Sequence, residues 1–236
     1  MQLTHNQLNT LTQCALFKNI TLDELKSLLP CLKPIVQTYD EDNLIFTQGT
    51  VIQYIYVILE GKVEIAKENF AGQKNIVSLL SAGQLFGEGV VCTSHRISPV
   101  SALAHTDAKL LLIPYERIIV SCEHNCTFHH SIVYNMMRLL GEKNYHLNIK
   151  MDLLLLKSMR AKLATYLLAE AHACQNVSFT LPLNRNQLAD YLNVSRPSMC
   201  RELGRMKDEG LIDYYQNSFK LLDMKRLQDV LLYEKA

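Results

Sequence analysis

Two groups of residues carry the chemistry this sequence can do. The first lies in residues 184–213, NRNQLADYLNVSRPSMCRELGRMKDEGLID, where Arg185, Arg196, Arg201 and Arg205 punctuate an otherwise compact helical pattern. A guanidinium fork matches the O6/N7 edge of guanine and the oxygens of a phosphate, so arginines at this density point to nucleic acid. The second group is Cys122, His124, Cys126, His129 and His130, five ligand-type side chains within nine residues. On a continuous helix Cys122, Cys126 and His130 would share a face and could grip a metal. The segment joins two helices, however, so that face need not exist. We read it as a polar junction and expect no metal. Elsewhere no nucleophile–base pairing stands out. Residues 35–114 contain only His95 and His105, without the close His-x-His group of a cupin-type metal enzyme, so no catalytic residue is assigned and an enzyme is not expected.

The arginines need elements to aim them. Asn184 is a good N-cap and Gln187, three residues on, completes a capping box for a first helix. Leu188 and Leu192 bury one face of it, and Ala189 lets a second helix cross closely. Asn193 suits a left-handed turn. Ser195 caps the second helix, with Pro197 in its first turn, where a missing N–H costs nothing. That is a helix-turn-helix whose second helix enters the major groove N-terminus first. Arg196 and Arg201 project near the groove floor, Ser198 reaches a base or a phosphate, and Arg185 and Arg205 suit phosphates. A hairpin over residues 211–215 and 219–222 follows, which makes the motif a winged helix.

Upstream the chain divides into three further stretches. Residues 1–30 read as amphipathic helix, with Thr21 and Glu24 forming a capping box. From 35 to 114 short runs at 43–46, 54–60, 62–66 and 75–80 are rich in Ile, Val, Tyr and Leu. Gly49, Gly61, Gly72, Gly83 and Gly87 fall between them, as in a compact antiparallel roll. A short helix at 115–123 precedes a long one over about 126–156, whose apolar stripe runs through Phe128, Ile132, Met136, Leu139, Leu140, Leu147, Met151 and Leu154. Some thirty residues span about 45 Å, more than so small a domain covers, which favours a coiled coil with a second copy. Lys143 and Lys150 interrupt the seam, and packing on the helix's own domain stays open. The expected division is 1–125, 126–156 and 157–236.

Composition agrees with a globular protein of two domains: 48% hydrophobic, 20% charged, nine Gly and six Pro. Residues 1–156 carry 12 Lys+Arg against 14 Asp+Glu, and residues 157–236 carry 12 against nine, so the positive excess sits with the arginine motif. MQLTHNQLNT lacks the basic and apolar regions of a secretory signal, and no apolar run approaches the ~20 residues of a membrane span. Seven scattered cysteines, an odd number, read as reduced thiols. These features place the protein in the cytoplasm, away from membranes.

The segment at 184–213 resembles the DNA-binding half of the Crp/Fnr family, the relatives of the cyclic-AMP receptor protein and the fumarate–nitrate reduction regulator. LFKNIT, IFTQG, YVILEGKVEI and GQLFGE resemble that family's sensor, in the same order. The resemblance implies an α+β fold: an N-terminal double-stranded β-helix or β-roll, a long dimerisation helix and a C-terminal winged helix. It also implies a homodimer on a palindromic double-stranded DNA operator, with RNA polymerase as a further partner. Where relatives carry Arg-Glu at the start of the reading helix, this chain has Arg196-Pro197, so a different half-site is expected. In nucleotide-binding relatives a Gly-Glu pair meets the ribose and an Arg ten residues later meets the cyclic phosphate. Gly87-Glu88 matches the pair, but Ser98 stands at the Arg position. Arg96, two residues early, would return to the same strand face. Cyclic AMP is therefore not the expected effector, no cofactor is assigned, and Glu88 reads as a conformational anchor. The alternatives are a cyclic-nucleotide receptor using Arg96 and a constitutive DNA binder with a vestigial sensor. The family's N-terminal cysteine group for iron–sulfur chemistry is missing, since only Cys14 lies in the first twenty residues.

Overall fold

The structure, a computed structural model, describes residues 3–68, 73–120 and 127–232. It divides into two compact units, residues 1–143 and 144–236. The long helix is therefore not a unit by itself, because the division falls inside it.

In the first unit α1 (His5–Gln13), a 3-10 turn (Ala15–Phe17) and α2 (Leu22–Leu32) precede the sheets. Thr21 accepts from the Glu24 N–H and Glu24 returns to the Thr21 N–H, the capping box expected there. Among the described residues eight strands follow: β1 (Ile35–Tyr39), β2 (Leu44–Phe46), β3 (Tyr54–Glu60), β4 (Lys62–Glu68), β5 (Lys74–Ser81), β6 (Leu85–Phe86), β7 (Ser101–Ala104) and β8 (Ala108–Pro114). They form two antiparallel four-stranded sheets, ordered β1-β8-β3-β6 and β2-β7-β4-β5. One core joins both sheets to the N-terminal helices. Two glycines are required by geometry. A Cβ on Gly61, between β3 and β4, would lie 2.1 Å from the Asp107 carbonyl oxygen. One on Gly87 would lie 3.1 Å from Tyr54 O and from a Tyr56 ring carbon, and both residues hold positive φ. Gly72 lies outside the described residues.

After β6 come α3 (Glu88–Val91) and, beyond β8, α4 (Tyr115–Ile119), then the long α5 (Thr127–Leu155). Here the expected dimer seam needs correcting. Ile132, Met136 and Leu139 are buried in the core of the first unit, and Phe128 and Leu140 pack against that core. Asn135, also buried, donates to Leu16 O (3.1 Å) and Lys18 O (2.8 Å) and fixes the same face. Only Leu147, Met151 and Leu154 of the predicted stripe stay exposed. The physical reason is that α5 has two apolar faces. The stronger one covers the roll, while Tyr134 and Met137, 66% and 69% exposed, lie on the other side.

The second unit holds α6 (Met159–Ala173), β9 (Ser178–Thr180), α7 (Arg185–Leu192), α8 (Arg196–Asp208), β10 (Ile212–Tyr215), β11 (Ser218–Leu221) and α9 (Met224–Leu232). The sheet order is β10-β11-β9, so the expected hairpin gains a third strand. Leu163, Leu167, Leu188, Leu192, Met199, Leu203 and Leu227 build its core, together with Leu153 from the end of α5. Among the described residues no helix is long and apolar enough to cross a membrane. The described cysteines, Cys14, Cys31, Cys92, Cys174 and Cys200, are free thiols, and burial pushes Cys14 up to about 11.

Candidate nucleic-acid interface and sensor pocket

The capping logic read from the sequence builds the reader. Asn184 Oδ1 accepts from the Asn186 and Gln187 N–H groups (3.0 Å each), and Gln187 Oε1 accepts from the Asn184 N–H (2.9 Å). Asn193 ends α7 at φ 52, in the left-handed region. Ser195 caps α8 and Pro197 sits in its first turn. Met199, Leu203 and Met206 bury one face of α8 against the core. Arg196, Pro197, Arg201 and Arg205 are all exposed. Arg201 Nη2 donates to Ser198 Oγ (3.1 Å), which in turn accepts from Ser195 Oγ (2.8 Å). The two serines thus brace Arg201. The Arg196 side chain has no hydrogen-bond or ion-pair partner among the described residues.

Arg185 departs from expectation. Its guanidinium lies 5.0 Å above the Tyr214 ring and 4.7 Å above that of Phe219, and Nη2 donates to Gln216 O (2.7 Å). Burial lowers its pKa from the ordinary arginine value. Half-buried and stacked on the hairpin, it braces the wing instead of projecting as a free phosphate contact. Arg205 also has a protein partner, Glu202 at 3.3 Å.

Sequence reasoning missed the ion pairs beneath α8. Arg160 on α6 places Nε 2.6 Å from Glu202 Oε1, and Nη1 and Nη2 at 2.8 and 2.7 Å from the two Glu209 oxygens. The hydrogen bonds to Glu209 raise the pKa of Arg160, and those bonds hold the Glu209 carboxyl below its ordinary value. On the hairpin side Lys207 Nζ lies 2.7 Å from Asp213 Oδ1. No periodicity signals such long-range pairings.

In the first unit a cavity of about 250 Å³ opens where β6 runs into α3. Gly87, Glu88 and Ser98 line it among Phe46, Leu85 and Val100. Tyr56 and Phe86 stack nearby (4.9 Å, 8°), and burial, with Tyr39 and Tyr54 close by, pushes the Tyr56 phenol up to about 12. Ser98 Oγ donates to Val100 O (2.7 Å). Arg96 does not line the cavity. It holds a left-handed φ of 53, its guanidinium lies 5.2 Å over the Tyr115 ring, and Nη2 is 2.8 Å from Glu116 Oε1. The strand-face argument for Arg96 fails because residue 96 lies outside any strand, with a left-handed backbone. In its place the cavity receives an unforeseen cation, Lys143 of α5, paired with Glu88 Oε1. The interruption that Lys143 makes in the apolar stripe was the sign of it.

Of the Cys/His cluster, Cys122, His124 and Cys126 lie outside the described residues. His129 is buried with Nε2 2.8 Å from Arg117 O, and His130 is exposed.

The cyclic nucleotide-binding domain family matches residues 36–125, and the Crp-like helix-turn-helix domain family matches residues 161–230. The cyclic AMP receptor protein of Thermus thermophilus is 25% identical over 81% of this chain and 86% of its own length. The global nitrogen regulator of Synechocystis is 24% identical over 77% of this chain and 81% of its own. The solved Thermus thermophilus catabolite activator protein superposes with a TM-score of 0.53 at 23% identity, over 93% of this chain and 99% of that one, which shows a shared fold. With a nucleotide-domain roll and a Crp-like reader joined in this order, the chain belongs to the Crp/Fnr family of DNA-binding transcriptional regulators.

Proposed function

We propose that two copies of the chain pair in the cytoplasm through α5 and read a palindromic operator with their two α8 helices. The pocket at Glu88 tunes that affinity for an effector other than cyclic AMP or cyclic GMP. The observation that carries the reading is the braced, exposed Arg201 on a capped helix that opens with Arg196, itself exposed and with no side-chain partner among the described residues. Arg205 and Lys207 flank it toward the DNA backbone, and Arg185 holds the wing. RNA polymerase is the further partner the family resemblance implies. The chain works as a regulator and not as an enzyme.

The effector argument rests on charge. A cyclic phosphate needs a cation in a low-dielectric pocket. Among the described lining residues the only cation is Lys143, and Glu88 already neutralises it. Ser98 directs its hydroxyl hydrogen to Val100 O. Selection from random duplexes with the purified protein tests the DNA side. We expect enrichment of a palindrome with half-sites one helical turn apart, about 34 Å. Enrichment of single half-sites, or none above non-specific binding, contradicts it.

A further inference from the structure

The two oxygens of the Glu88 carboxylate are in different situations. The residue is only 4% exposed. Oε1 meets the Lys143 ammonium, while Oε2 is buried and has no hydrogen-bond partner among the described residues. Buried polar atoms are almost always paired, and an orphaned charged acceptor is the most costly kind. Oε2 belongs to a residue that lines a mainly apolar cavity, whose other polar side chains are Ser78, Ser98 and Lys143, so the missing donor has a place to come from.

Size and charge narrow what brings it. At about 250 Å³ the cavity is below the ~300–1,000 Å³ usual for drug-sized ligands, so the occupant is small. Phe46, Leu80, Phe86, Val90 and Val100 supply apolar walls. Lys143 and Glu88 cancel, so an anion entering beside Glu88 meets repulsion without a free cation. A cation would compete with Lys143 for the carboxylate. An uncharged donor alone completes Oε2 and leaves the pair intact.

We propose that this pocket takes a small, mainly apolar, uncharged molecule with one hydrogen-bond donor, an alcohol, phenol or primary amide, directed at Glu88 Oε2. The inference rests on the pocket being the effector site. It also places the ligand one side chain from α5, because the same carboxylate anchors Lys143.

Benzyl alcohol, toluene, benzoate and cyclic AMP serve as probes, titrated by calorimetry and saturation-transfer NMR against the full-length protein. Benzyl alcohol should bind at least tenfold tighter than toluene, a factor worth about 1.4 kcal/mol. Benzoate and cyclic AMP should bind more weakly than benzyl alcohol. In Glu88→Gln the alcohol-over-toluene preference should fall to threefold or less, because a charge-assisted hydrogen bond becomes a neutral one. If that variant does not fold, the wild-type order decides alone. Equal binding of toluene and benzyl alcohol, tighter binding of benzoate or cyclic AMP, or no probe binding at millimolar concentration overturns the proposal. Operator binding is measured on the same preparations. Its loss would sink the reading of the chain as a DNA regulator, whereas failed probes with intact operator binding would sink only the ligand class.

Discussion

Replacing Tyr134 and Met137 together with aspartate should convert the protein to monomer while leaving its fold intact. Both side chains are about two-thirds exposed on α5, so in the single chain the change costs no more than helix propensity, ~0.7 kcal/mol or less each. In a two-fold seam each aspartate lies near its own counterpart, and four charges enter an apolar contact at a cost of several kcal/mol. A monomer keeps half of the operator contacts. Binding should fall from the range of specific complexes toward the non-specific range of about 10⁻⁴–10⁻⁶ M, roughly a thousandfold or more. Ile132→Asp makes the contrast, because Ile132 is fully buried in the roll and the variant should unfold the first unit. Sedimentation and circular dichroism separate the two outcomes. A Tyr134/Met137 variant that stays dimeric places the seam elsewhere.

Arg160→Met should weaken the second unit by more than any change on the surface of α8. It removes three short bonds and leaves Glu202, whose side chain is 12% exposed, with Arg205 at 3.3 Å as its one remaining ion-pair partner among the described residues. Breaking a buried ion pair costs about 3–5 kcal/mol. Arg160 is partly exposed, so about 2–3 kcal/mol is expected, roughly a 10 °C loss in the melting transition of a unit this size. The effect has a pH sign. Glu209 is held below its ordinary value of 4.5 by Arg160, so the tie contributes fully above that value and is lost as pH falls through the lower folded value. The gap between wild type and variant should therefore be widest near neutrality and shrink in acid. A gap that widens in acid would assign the stabilisation to other groups.

Much of the reader was legible because its signals are local. Asn184 with Gln187, Asn193, Ser195 and Pro197 each specify one backbone event within four residues, and the structure shows each one. The strand at Tyr54–Glu60 was equally plain from its run of apolar residues and the glycine that ends it. The face of α5 was not legible. A 3.6-residue period says that Ile132, Met136 and Leu139 share a side, but not whether a sheet of the same chain or a second chain lies opposite. Lys143 looked like a defect in that stripe because its partner, Glu88, is 55 residues away.

Arg185 and Arg96 failed for a related reason. Arg185 was expected at a phosphate from its charge and position, and Arg96 stood only as the cation of the alternative cyclic-nucleotide reading. Aromatic rings, Tyr214 and Phe219 for one and Tyr115 for the other, capture the two guanidinium groups through contacts that only the fold brings together. Arg160, with both of its carboxylate partners more than forty residues on, was hidden in the same way.

The most direct test of α8 as the reader is the affinity of Arg201→Ala for the selected operator and for a set carrying every single base-pair change, at one fixed salt concentration. Removing a base-reading arginine costs about 1–3 kcal/mol and should flatten the preference at one base pair per half-site, with the others unchanged. An affinity and base preference that survive the substitution, or a loss spread uniformly over all positions, would contradict the assignment of Arg201 to a base edge.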